Sequence, residues 1–180
     1  TTATYRIRLE DGSIVDDEIP RDIYYWYVVH PRIEDESPWF IAPYETCRST
    51  SLQCPQTPET GEFWRPFLIT ADDPAGCPTV GDCPVLAEMI EGVDVLWSHE
   101  PELEVSGNGA IGQVTDWILG VLDFGAGDER SVQPNRIYGL HRGNCGEHAD
   151  LTSAAARTIL IPTINVGARA NDHTWNEFWE

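Results

Sequence analysis

The chain has 180 residues, 41% of them hydrophobic, with 7 Trp, 6 Tyr and 5 Phe. That is ample apolar material for a packed core. Its 30 acidic residues stand against 11 basic ones, all arginine, for a net charge of −19; such a surface repels phosphate backbones, so no nucleic acid partner is expected. No stretch approaches the roughly 20 apolar residues that a membrane helix needs, and no membrane span is expected.

In chain order, "TYRIRLE" from Thr4 alternates apolar and polar residues as a half-buried strand does, and "DGSI" forms a turn. "IYYWYVV" (Ile23–Val29), aromatic, β-branched and bounded by Pro31, is predicted as a strand. "SPWFIAPY" and "FWRPFLIT" are read as edge-strand pieces broken by proline. Residues 71–84, "ADDPAGCPTVGDCP", form a loop. A helix is predicted over "PVLAEMIEGVDVLW", with Pro84 in its first turn, and a second over "GNGAIGQVTDWILGVLDFGAG". In that second helix Ile111, Val114, Ile118 and Val121 share one stripe, and Trp117 is expected in the core. "SVQPNRIYGLHRGN" is an irregular approach to a third helix, capped by Asn144, which must stop by Pro162. "TINVGAR" and "HTWNEFW" are strands. The order indicates an α+β fold, a β-rich region over 1–84 followed by a core over 85–180.

The five cysteines divide into four and one. Cys47 with Cys54, and Cys77 with Cys83, flank polar loops; of the three connectivities open to four cysteines, the two local disulfides are favoured. Their spacings suit a four-sulfur zinc site poorly, and no metal ligand set is assigned. Disulfides imply an oxidising compartment, hence an extracellular or cell-surface location. Asp72, Asp73 and Asp82 could hold calcium, but without an EF-hand pattern no cofactor is expected.

Cys145 is the thiol left over. At the head of a helix it meets the partial positive charge of the first N–H groups, which favours the thiolate and can hold the oxyanion of an attacked carbonyl. Gly143 and Gly146 keep the approach open for a substrate backbone. His173, opening a strand, can serve as base toward the thiol and then as acid toward the leaving amine. His148, one turn beyond Cys145, is an alternative base. His141, in the loop before the motif, is expected at the surface. Gln113, Trp97 and Trp117 are upstream candidates for an oxyanion hole or a substrate wall.

The segments "RGNCGEHADLTSAAARTILIPTINVGAR" and "DHTWNEFW" resemble the core of the transglutaminase-like superfamily of cysteine enzymes. "CGEHAD" followed by "DHTWNE" is also similar to the matching segments of peptide:N-glycanases. The resemblance covers about residues 110–180. It implies a papain-like α+β core with the cysteine helix packed on an antiparallel sheet. It also implies Cys145 as nucleophile, His173 as catalytic histidine, and Trp175 and Glu177 on the strand that frames it, Trp175 within reach of substrate. The family's third member, an Asp or Asn, lies on the following strand, which would come after Glu180, so the core is expected to be truncated at its C-terminal end; Asp172 does not replace it. The implied reaction is acyl transfer or amide hydrolysis on a protein or peptide substrate through a Cys145 thioester, as in a protease, amidase or transglutaminase. The alternative is an inactive extracellular structural or adhesive module on the same fold. Oligomeric state is left open.

Overall fold

Strand β1 (Thr4–Arg8) buries Ile7 and turns Thr4 and Arg6 outward, the period-two pattern its sequence carries. It pairs antiparallel with β2 (Ile14–Glu18), Arg6 opposite Asp16 and Ile7 opposite Val15. Asp11 closes the hairpin by accepting from Ser13 N–H (2.9 Å) and Oγ (2.5 Å), while Gly12 takes φ +81°. The computed structural model describes residues 2–33, 61–98, 109–125, 131–170 and 172–179. The expected strand at "SPWFIAPY" and the expected Cys47–Cys54 disulfide lie outside the described residues.

Two segments predicted as strands are helices. Residues 21–29 form a helical turn, α1 (Arg21–Tyr24), that widens into a π-helical turn over Tyr25–Val29, with His30 N–H donating to Tyr25 O at 2.7 Å. Its more buried positions are 23, 24, 27 and 28 while 25, 26 and 29 are exposed, a helical spacing hidden inside a run that is apolar throughout. "FWRPFLIT" contains α2 (Trp64–Thr70), which buries Trp64, Phe67 and Leu68 at i, i+3 and i+4. Pro66 falls in its first turn, where the missing N–H has no intrahelical acceptor to lose.

Further along, the first predicted helix shrinks to α3 (Leu86–Met89), because Gly92 at φ +76° turns the chain toward β3 (Trp97–Ser98), which pairs parallel with β1. Helix α4 (Ala110–Val121) forms as expected, with Trp117 buried and its Nε1 donating to Pro84 O at 2.9 Å. β4 (Asp123–Phe124) follows directly. The segment read as irregular contains α5 (Pro134–Leu140), which starts with proline at its first position and buries six of its residues. β5 (Arg142–Gly143) pairs parallel with β4 and leads into α6 (Cys145–Thr158). β6 (Thr163–Gly167) and β7 (Thr174–Phe178) form an antiparallel pair, Asn165 opposite Asn176, and the chain is α+β.

The core is continuous from α2 to the end of α6. Trp117 stacks on Tyr138 (centroids 5.8 Å apart, planes 13°), and Phe67 meets Tyr138 edge-on at 5.7 Å. On α6, Ala154, Ala155 and Ala156 are fully buried, and side chains this small let neighbouring helices approach closely. Arg157, 3% exposed, ties the end of this helix to β6: Nε and Nη2 donate to Thr163 O at 3.1 and 2.8 Å, and Nη1 to Arg32 O at 2.9 Å. Burial lowers the neighbouring Arg65 guanidinium to a pKa of about 10; it donates to the carbonyls of Val28 and Arg157. Among the described residues no helix is long and apolar enough to cross a membrane.

Candidate active site

Helix α6 begins where the sequence places it. Asn144 is the N-cap and makes a capping box with Glu147, whose Oε2 accepts from Asn144 N–H at 2.9 Å. Cys145 and Gly146 occupy the first two helical positions, whose N–H groups have no intrahelical acceptor. Cys145 is a free, half-buried thiol. Gly143, just upstream, has a packing role: a Cβ there would overlap the Cβ of Glu147.

The side chains that fasten β6 and β7 to α6 are polar. Asn176 Nδ2 donates to Ala149 O (2.9 Å), Ser153 Oγ (2.9 Å) and Asn165 Oδ1 (3.0 Å). Ser153 Oγ donates to Asn165 Oδ1, and Asn165 Nδ2 to Asp150 Oδ1, both at 2.5 Å. These bonds fix a register. β6 starts beside Arg157 and runs back toward the helix N-terminus, so antiparallel β7 starts at the N-terminal end. The ladder continues one step beyond β7, with Ala168 N–H donating to His173 O at 3.0 Å. From Asn176 back to His173 is roughly 10 Å of strand. From Ala149 and Ser153 back to Cys145 is roughly 6 and 12 Å of helix. His173 therefore lies level with the first turn of α6.

The ring itself points elsewhere. Asn176 faces α6, whereas His173 is exposed and stacks on Trp175 at 6.0 Å, and Trp175 Nε1 reaches Glu177 Oε1 at 3.2 Å on that same outer side. Among the described residues no hydrogen bond joins Cys145 to His173 or to His148. His148 places Nδ1 3.0 Å from Asn144 O, and its ring lies 5.5 Å from that of Phe124, which is 70% exposed. Of the upstream candidates, Trp117 is core, while Trp97 lines a cleft with Ile111, Glu177 and Phe178. A second cleft, of about 180 Å³, is lined by Ile23, Tyr27, Pro162 and Trp179 among others. Both open at the Phe178 end of β7, away from His173.

A second polar cluster went unseen in the sequence. Cys77 and Cys83 form a disulfide, and His141, expected at the surface, is buried against it at 7% exposure. Its Nε2 lies 3.0 Å from Asp73 Oδ2; its Nδ1 lies 2.8 Å from Val121 O and 3.7 Å from Cys77 Sγ. Asp73, 2% exposed, also accepts from Ala75 N–H at 2.8 Å. His141 follows α5 with φ +50°, and this left-handed turn carries its ring inward. No local pattern could show this, because Asp73 is 68 residues away from His141. Burial, with Asp73 nearby, also pushes the Tyr138 hydroxyl well above the usual phenol range.

Compared with family models, curated proteins and solved structures, the chain matches none of them.

Proposed function

We propose that the chain is a thiol-dependent enzyme of amide acyl transfer, with Cys145 as nucleophile and His173 as general base. The observation that carries this reading is the placement of a free thiol at the first position of a capped 14-residue helix, with a strand-opening histidine level with it. The thiolate attacks an amide carbonyl, and the resulting oxyanion takes the N–H groups of Cys145 and Gly146. His173 accepts the thiol proton and returns it to the leaving amine, which forms the thioester. Water then releases the acid, regenerating the thiol; an amine acceptor would give a crosslink instead. Hydrolysis of a protein or peptide amide is the preferred outcome, with Gly143, Gly146 and Trp175 nearest the substrate. For catalysis His173 has to leave Trp175, and its backbone, just ahead of β7, has to turn the side chain to the α6 face. The Cys77–Cys83 disulfide supports an extracellular or cell-surface setting.

A second reading is an inactive structural or adhesive module, favoured by the outward stacking of His173 on Trp175. Alkylation kinetics separate the two. For an enzyme, Cys145 reacts with iodoacetamide near neutral pH at least about tenfold faster than an unstructured cysteine peptide. His173→Ala removes most of that advantage and Cys145→Ser removes the labelling. Slow labelling that His173→Ala leaves unchanged would sink the catalytic reading.

A further inference from the structure

The cluster at Cys77, Cys83 and His141 holds more than a disulfide requires. A disulfide has no need of an imidazole against it, yet His141 adopts a left-handed backbone that disfavours a residue with a Cβ. Its ring is buried beside the sulfurs with a buried carboxylate behind it. The Sγ atoms of Cys77 and Cys83 and a ring nitrogen of His141 all lie within 4.8 Å of one another. We propose that, once the disulfide is reduced, Cys77, Cys83 and His141 bind a Zn²⁺ ion, so that one cluster has two mutually exclusive forms.

The donor set suits zinc, which takes thiolate sulfur at about 2.3 Å and imidazole nitrogen at about 2.0 Å in tetrahedral geometry. Those lengths place a sulfur and a nitrogen on one ion roughly 3.6 Å apart; Cys77 Sγ and His141 Nδ1 are separated by 3.7 Å. Nδ1 gives up Val121 O to take the metal. Nε2–H stays on Asp73 Oδ2, the carboxylate that commonly orients a zinc-bound histidine and raises its basicity. A water completes the tetrahedron. The Cα atoms of the two cysteines are 4.8 Å apart, so side-chain rotation suffices to part the sulfurs. A dithiol reductant supplies two electrons and two protons, cleaving the S–S bond to two thiols as it becomes a disulfide. Zn²⁺ then displaces three protons, one from each thiol and the one that His141 Nδ1 points at Val121 O.

The test uses the full chain as Cys47→Ser/Cys54→Ser/Cys145→Ser, which leaves only the cluster thiols, reduced with a phosphine and titrated with Co²⁺. One cobalt per chain is expected, with thiolate charge-transfer bands in the near ultraviolet, tetrahedral ligand-field bands in the visible, and displacement by Zn²⁺. The oxidised protein gives none of these bands. Adding Cys77→Ser abolishes them, and Asp73→Asn weakens binding by about 10–100-fold. X-ray absorption of the zinc form counts two sulfurs and a nitrogen, which needs no further substitution. Absence of cobalt bands in the reduced protein, their survival in Cys77→Ser, or a shell lacking either sulfur or nitrogen overturns the proposal. Should the triple variant not fold, the reduced wild-type chain answers through the same comparison with Cys77→Ser: loss of intensity supports the site and unchanged intensity refutes it.

Discussion

Replacing Asn176 by alanine tests the polar seam that sets β7 against α6. Its amide carries two protons shared among Ala149 O, Ser153 Oγ and Asn165 Oδ1, at 2.9, 2.9 and 3.0 Å. None of the three acceptors is orphaned by the substitution. Ala149 O keeps its helical N–H partner, and Ser153 Oγ and Asn165 Oδ1 keep each other at 2.5 Å. The loss is therefore that of about two net hydrogen bonds, without an added penalty for a stranded buried group, or about 2 kcal/mol. For a chain of this size, a loss of that order lowers Tm by roughly 4–8 °C. Asn176→Asp is nearly isosteric, but it turns acceptors toward acceptors and brings a charge near Asp150, so it should cost more than alanine. Urea and thermal unfolding of the two variants, followed by circular dichroism, give both numbers. An alanine variant within about 0.5 kcal/mol of wild type, or an aspartate variant no worse than alanine, would refute the claim that this seam fixes the register.

Three further substitutions probe the site and the fold around it. Gly143→Ala introduces a Cβ that overlaps Glu147 and disturbs the cap of α6, at a cost of about 1–3 kcal/mol. In Gly167→Ala the new Cβ meets nothing within 4 Å and should leave thermal stability nearly unchanged; equal effects at the two positions would discredit the overlap argument. Tyr5, whose hydroxyl donates to Leu160 O, has its pKa pushed up to about 12, chiefly by burial and secondarily by Tyr24. Because the folded value is the higher one, its contribution is complete below about pH 10 and is lost as pH rises toward about 12. Across that window Tyr5→Phe should lose stability less steeply than wild type in urea titrations. Parallel slopes would contradict it.

Local signals were legible wherever one residue decides a local geometry. Asn144 before Cys145, with Glu147 three residues on, specifies a helix start from chain-local hydrogen bonding alone. The stripe of α4 specified its buried face for the same reason, and so did the alternation of β1. Burial-dependent choices were not legible. "IYYWYVV" is apolar at every position, so either period fits it, and only packing of positions 23, 24, 27 and 28 inward chose the helix. Pro66 suggests a broken strand, and the segment holding Pro134 suggests irregular chain, whereas each proline lies in the first turn of a helix, where its missing N–H costs nothing.

By itself, then, the sequence determined the acidic surface, the capped start of α6 with its thiol, and the β6–β7 strands, because each depends on composition or on neighbours a few residues apart. Tertiary structure alone decided the rest. The polar seam of Asn176, Asn165 and Ser153 puts His173 level with Cys145, while strand alternation turns its ring toward Trp175. The left-handed turn at His141 joins it to Asp73 and to the Cys77–Cys83 disulfide. Both arrangements depend on distances between residues far apart in the chain, and those are set when the core packs.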